Sequence, residues 1–105
     1  MDARPKPLKL HADARAELQK SVTFYRERGG DRLAERFKQH VGAAFEAILA
    51  SPARFPPTAD LPGVQKLRLK HFPFALLYVR RPDHIWIVAI AHGSRKPGYW
   101  KDRVR

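Results

Sequence analysis

The chain contains no cysteine. That excludes disulfide bonds, thiolate metal sites and cysteine nucleophiles together, and it is compatible with a reducing compartment. Also missing is an apolar run long enough for a membrane span or a secretory signal. The first ten residues instead set Pro5 and Pro7 among Arg4, Lys6 and Lys9. A cytoplasmic protein without a membrane partner is the expectation. Acidic residues are scarce: 10 Asp plus Glu face 21 Lys plus Arg, a formal net charge of +11 at pH 7. Such an excess points to polyanions or to an acidic protein partner. His11, His40 and His84 have no metal-ligand spacing with one another or with carboxylates, so neither a zinc site nor any other cofactor is expected.

What is present is enough to fold. At 105 residues, 44% of them hydrophobic, the chain has room for one domain and one core, spanning residues 1–105. The charge is uneven. From Leu61 to Arg105 ten basic residues stand against Asp83 and Asp102, a net of +8, and the first sixty residues hold the remaining +3. An electrostatic working surface therefore belongs to the C-terminal half.

Leu8 to His11 reads as a short extended segment, held out of helix by Pro7. Asp13, with Glu17 behind it, is a helix-start signal, and Ala14, Leu18, Val22 and Tyr25 fall on one stripe of a helix running to about Arg28. Gly29 and Gly30 end it, and Asp31 is expected to cap a second helix carrying Leu33, Phe37, Val41, Phe45 and Ile48. The tight connection makes a helical hairpin. Pro52, Pro56, Pro57 and Pro62 then exclude regular structure from Ser51 to Gly63.

Beyond that loop the period becomes that of strands. Val64 to Lys70 alternates, with Leu67 and Leu69 on one face and Lys66, Arg68 and Lys70 on the other. Phe74 to Arg80 is a second strand, Arg81-Pro82-Asp83-His84 a turn, and Ile85 to Ala91 a central strand, apolar on both faces and covered on one side by helices. The order β-α-α-β-β-β predicts an α+β fold: an antiparallel meander with the helical hairpin on one face. Tyr78 and Trp86 read as core, and Trp100 as packing the tail onto the sheet.

Taken together, this order of elements, the segment Lys66-Leu-Arg-Leu-Lys-His-Phe-Pro-Phe-Ala-Leu-Leu-Tyr78 and the tail Ala89-Ile-Ala-His-Gly-Ser-Arg-Lys-Pro-Gly-Tyr-Trp100 resemble the RelE/ParE superfamily of toxins from type II toxin–antitoxin systems. The resemblance implies a growth-arresting toxin held by a cognate antitoxin, with one of two targets. RelE-like members cleave messenger RNA on the ribosome, and ParE-like members poison DNA gyrase.

The first reading is preferred at this point: a metal-independent, ribosome-dependent endoribonuclease. Such cleavage uses the substrate's 2′-hydroxyl as nucleophile, and so needs a proton acceptor, cations for the phosphate and an aromatic ring for an unstacked base. The resemblance places these roles on Lys66, Arg68, Arg95 and Tyr99, with Lys66 as the proton acceptor and His92 as a second candidate. Lys70, His92, Lys96, Lys101 and Arg103 are expected to bind nucleic acid or target. One position departs from the RelE-like pattern: Ala75 stands where those nucleases carry an arginine. The alternatives are a ParE-like gyrase inhibitor without catalytic activity, and a non-catalytic nucleic-acid-binding module. The plainest reading of Lys66, Arg68 and Lys70 is a solvated sheet face.

Overall fold

The computed structural model describes residues 6–105. Pro5 and Arg4 lie outside them. The elements in chain order are β1 (Leu8–Leu10), α1 (Ala12–Ala50), β2 (Gln65–Arg68), β3 (Phe74–Arg80), β4 (Ile85–His92) and a 3-10 turn (Lys101–Val104).

The helix begins one step earlier than its acidic residue suggests. His11 is the cap, its Nδ1 accepting from the backbone N–H of Asp13 at 3.0 Å, and Asp13 sits in the first turn. Helical geometry breaks at Gly29 and Gly30, so α1 consists of two arms. Both glycines are required there. Gly30 has φ 75°, and a Cβ on Gly29 would lie 2.7 Å from Leu33 Cδ2. Asp31, expected as a cap, instead accepts from Arg26 Nε at 3.0 Å, tying the arms across the turn. The arms fold back side by side, with Tyr25 and Phe37 ring centroids 4.9 Å apart.

The strand order is β1-β4-β3-β2. β2, β3 and β4 form the expected antiparallel meander, and β1 adds to it in parallel, Leu8 opposite Ile85 and Leu10 opposite Ile87. The sheet is therefore mixed. Alternation reveals which face a strand buries but not the direction of its neighbour, so this edge was not readable beforehand. β2 is also shorter than the alternating run: it ends at Arg68, and Lys70 falls in the turn beyond.

A bulge decides how β4 is buried. Leu77 pairs with Ala89 and Tyr78 with Ile87, which leaves Val88 without a partner opposite. Ile87 and Ile90 consequently both face the helices, packed with Phe37, Ile48, Leu76 and Tyr78. Val88 and Ala89 both face the other way, into a second cluster with Val64, Leu77 and Trp100. The double-sided hydrophobicity of β4 thus has two causes: α1 covers one face, and the C-terminal tail, with Trp100 only 2% exposed, covers the other.

The proline-rich crossing loop is fastened by one buried side chain. Gln65 Nε2 donates to the carbonyls of Pro52 and Phe55, both at 2.8 Å, and its Oε1 accepts from Arg80 Nε at 2.7 Å. The Tyr78 hydroxyl donates to the same Pro52 carbonyl. Replacing Gln65 with Leu leaves the Phe55 carbonyl without this donor and Arg80 Nε without this acceptor, so Gln65→Leu is expected to lower stability by about 1–3 kcal/mol in urea unfolding. A change within about 0.5 kcal/mol, typical of ordinary surface substitutions, would mean the loop is held by other contacts.

Candidate functional site

The sheet face away from the helices is where the basic residues gather. Lys66 pairs with Leu77 and Arg68 with Ala75, on the small edge strand β2. Ala75 in turn faces Ala91, so two alanines floor the sheet beside Arg68. Small side chains on this row leave a hollow. Opposite it the tail turns back over the sheet, anchored where Gly93 N donates to Pro73 O at 2.8 Å and Arg95 N to His92 O at 3.0 Å. Between them lies a cleft of about 520 Å³ whose lining includes Lys66, Arg68, His92, Arg95, Lys96 and Tyr99. The fold thus brings together residues that are some thirty positions apart in sequence.

Lys70, Lys101 and Arg103 are not part of that lining. Lys70 leaves with the end of β2, and Lys101 lies on the 3-10 turn, exposed, with its side chain beside Gly98. Arg103 is half-buried for a different purpose. Its two terminal nitrogens reach Glu17 at 2.9 and 3.1 Å, and one also donates to the Val88 carbonyl at 3.1 Å. Glu17 is the residue that sequence reading passed over as a helix first-turn acid. Its carboxylate accepts from the backbone N–H of Ile90 at 3.0 Å and from the Tyr99 hydroxyl at 2.6 Å, and it stands 3.8 Å from Arg95. Nothing local marks it, because these partners are 73 to 86 residues away along the chain.

Why Ile90 needs a side-chain acceptor follows from the sheet. β1 ends at Leu10, opposite Ile87, so the outer edge of β4 beyond that point has no strand to receive its N–H. Glu17 takes the missing strand's place. The Tyr99 ring is meanwhile covered by Arg95, its guanidinium carbon 3.8 Å from the ring centroid, with Arg103 at 5.1 Å. Cation–π contacts of this kind contribute about 0.5–2 kcal/mol, depending on how dry they are. Burial, together with donation to Glu17 and the negative charge there, pushes the Tyr99 hydroxyl well above the ordinary phenol range. Burial works against the charge of Arg103, but the bonds to Glu17 outweigh it and raise that guanidinium further.

His92 closes the end of β4. Its Nδ1 accepts from Ser94 N at 3.0 Å and lies 2.8 Å from Ser94 Oγ, while its ring meets Phe74 edge-on at 5.0 Å. One ring nitrogen is thus engaged in holding the tail turn. What the cleft offers chemically is four cations, two on each wall, against the single carboxylate of Asp60, with Tyr99 fixed between Arg95 and Glu17. It is suited to receive a polyanion or an acidic segment.

Comparison with known proteins bears on the family and the fold. The model of the family described as "ParE toxin of type II toxin-antitoxin system, parDE" matches residues 8–97. The chain belongs to this ParE toxin family. Among solved structures, a chain of the "Chromosomal ParDE TA system from P. aeruginosa" superposes with a TM-score of 0.74 at 22% sequence identity, covering 83% of this chain and 95% of that one. At that identity the likeness establishes the fold. No curated protein matches the chain. The α+β architecture read from the sequence is that of the ParE family, and the match runs from β1 to the start of the tail turn.

Two outcomes test the Glu17 junction. Glu17→Leu leaves the half-buried Arg103 with only Asp13, 3.8 Å away, as counter-charge and removes the acceptor for Tyr99 and Ile90; it should cost about 1–3 kcal/mol in chemical unfolding, the range for stranding buried hydrogen-bonding groups. Retention of wild-type stability would show that Arg103 swings to solvent. The second outcome concerns alkali. Below pH about 10 folded and unfolded chains both keep the phenolic protons, and above it the unfolded chain releases them first. Tyr78 is pushed up to about 12, chiefly by burial, and Tyr99 is raised as well. Stability is therefore expected to be full below pH 10 and to fall as pH rises past it. Tyr99→Phe should flatten that fall, read by circular dichroism against pH.

Proposed function

We propose that the chain is the toxin of a toxin–antitoxin pair, that it acts on DNA gyrase without cleaving nucleic acid, and that it is a single-domain protein neutralised by a cognate antitoxin. This reverses the preference for an RNA-cleaving enzyme. The observation that carries it is the engagement of Tyr99 and Arg103 by Glu17. The aromatic ring meant for an unstacked base is covered by Arg95, and its hydroxyl is committed as a donor. Ala75, in the floor of the cleft, adds no cation where RelE-like nucleases carry an arginine. Membership of the ParE family supports the same reading.

On this reading Lys66, Arg68, Arg95 and Lys96 form a docking surface rather than a reaction centre. Electrostatic docking sets the rate of encounter and the choice of partner more than it sets ultimate affinity. Gyrase with its DNA is a strongly anionic target, well matched to a chain of net charge +11. An acidic antitoxin competes for the same long-range attraction.

Expression from a tight inducible promoter, with pulse labelling of DNA and protein synthesis, tests the proposal. DNA synthesis should stop first, in filamenting cells with intact messages, and the purified chain should inhibit gyrase supercoiling. Fragmented messages and an immediate loss of translation would instead restore the nuclease reading. The double variant Lys66→Glu, Arg68→Glu is expected to weaken gyrase inhibition by roughly tenfold or more, equivalent to about 1.4 kcal/mol. Unchanged inhibition would remove the cleft from the mechanism.

A further inference from the structure

Three of the five histidines have a ring nitrogen already committed. His11 Nδ1 caps α1, His92 Nδ1 accepts from the backbone N–H of Ser94, and His84 Nδ1 lies 2.7 Å from the Asp83 carboxylate. The other two stand against each other. His40, half-buried on the second arm of α1, and His71, exposed in the turn between β2 and β3, have ring centroids 5.3 Å apart. Among the described residues neither ring has a hydrogen-bond or ion-pair partner, and His40 rests on the ring of Phe72, also at 5.3 Å. Both imidazoles therefore keep their nitrogens available.

His71 is also the one non-glycine residue with a left-handed backbone among the described residues, at φ 65°. Glycine takes that conformation freely, whereas a side chain there is strained. What the strain delivers is an imidazole against the helical arm, thirty-one positions away from His40 in sequence. No spacing along the chain signals such a pair, because the turn and the helix meet only in the folded protein.

We propose that His40 and His71 form a binding site for zinc, with one nitrogen of each ring as a ligand. The distance between the rings fits that ion. With about 2.0–2.1 Å from zinc to nitrogen and about 1.1 Å more to the ring centre, two imidazoles at a tetrahedral angle have centroids about 5.2 Å apart. Neutral imidazole suits zinc and its neighbours in the first transition row, and it is a poor ligand for magnesium or calcium, which take oxygen. Among the described residues no third His, Asp or Glu joins the pair. The site is thus open, weaker than a closed four-ligand centre, and the remaining positions go to water or to an anion from outside, which a net charge of +11 favours. Neither histidine lines the cationic cleft, but Phe72 and Pro73, the residues that follow His71, do. The ion accordingly fastens the second arm of α1 to the turn that supplies one corner of the cleft wall.

The test uses the full chain without a histidine tag, stripped of metal by a chelator, and titrated with zinc chloride by calorimetry and by thermal melting. One zinc per chain is expected, and the melting temperature should rise by roughly 4 °C or more once free zinc exceeds its dissociation constant tenfold. His40→Gln and His71→Gly should each weaken zinc binding by tenfold or more and abolish the shift, whereas His84→Gln should keep it. Without zinc, His71→Gly should melt no lower than wild type, because glycine relieves the left-handed strain. That pairing of an undiminished fold with a lost zinc response separates a ligand from a packing residue. The proposal is overturned by a wild-type chain that shows no zinc-dependent shift, by a shift that survives in either variant, or by an equal shift with magnesium. A metal-free His71→Gly chain that melts earlier would give His71 a packing role and overturn it as well. One ion per two chains, in a dimer that forms only with zinc, would place the ligands on separate copies and overturn the site within one chain.

Discussion

The carboxylate of Glu17 receives donors from three places that have no other reason to be near one another: the unpaired edge of β4, the ring hydroxyl of Tyr99 and the guanidinium of Arg103. With its side chain 14% exposed, the same as that of Arg103, the junction works where water competes weakly. Its consequences spread in both directions. Toward the sheet, it completes the hydrogen bonding of β4 past the end of β1. Toward the tail, it pins Tyr99 and the following residues so that Trp100 is pressed onto the second face. The wall of the cleft that carries Arg95 and Lys96 exists because this tail is fastened.

Other bonds reinforce that placement. Trp86 Nε1 donates to the Arg103 carbonyl at 3.4 Å, and Arg81 donates to the Val104 carbonyl, so the last residues are stitched to β4 and to the turn before it. The bulge at Val88 serves the same end by turning an extra apolar residue toward Trp100. A four-stranded sheet of this size thereby gains two cores, one under the helices and one under the tail. The cations of Lys66, Arg68, Arg95 and Lys96 are left around the hollow between β2 and the tail. Their mutual repulsion is tolerated at an open cleft because solvent and salt screen it.

The helical layer has its own division of labour. Its inner stripe, with Phe37, Val41 and Ile48, is committed to the sheet. Between its arms an apolar groove stays open, with Gly42 in its lining. The basic cleft and the apolar groove therefore lie on opposite layers of one small chain.

Much of this protein was legible from residue order. The 3.6-residue stripes, the Gly29-Gly30 break and the alternation after the proline loop define elements by local rules, and local rules act within a turn or a strand. The meander followed because short turns leave antiparallel pairing as the only geometry, and the basic character of the C-terminal half followed from counting. The parallel seating of β1, the early end of β2, the bulge at Val88 and the Glu17 junction were decided by tertiary structure. Each is a contact between segments far apart in sequence, and no periodicity encodes a partner 70 or more residues away. For the site, the sequence determined which cations were available, whereas the fold determined their use. It gathered Lys66, Arg68, Arg95 and Lys96 in one cleft, committed Arg103 to Glu17, and turned Lys70 and Lys101 away, because burial and hydrogen-bond satisfaction are properties of the assembled layers and not of any strand alone.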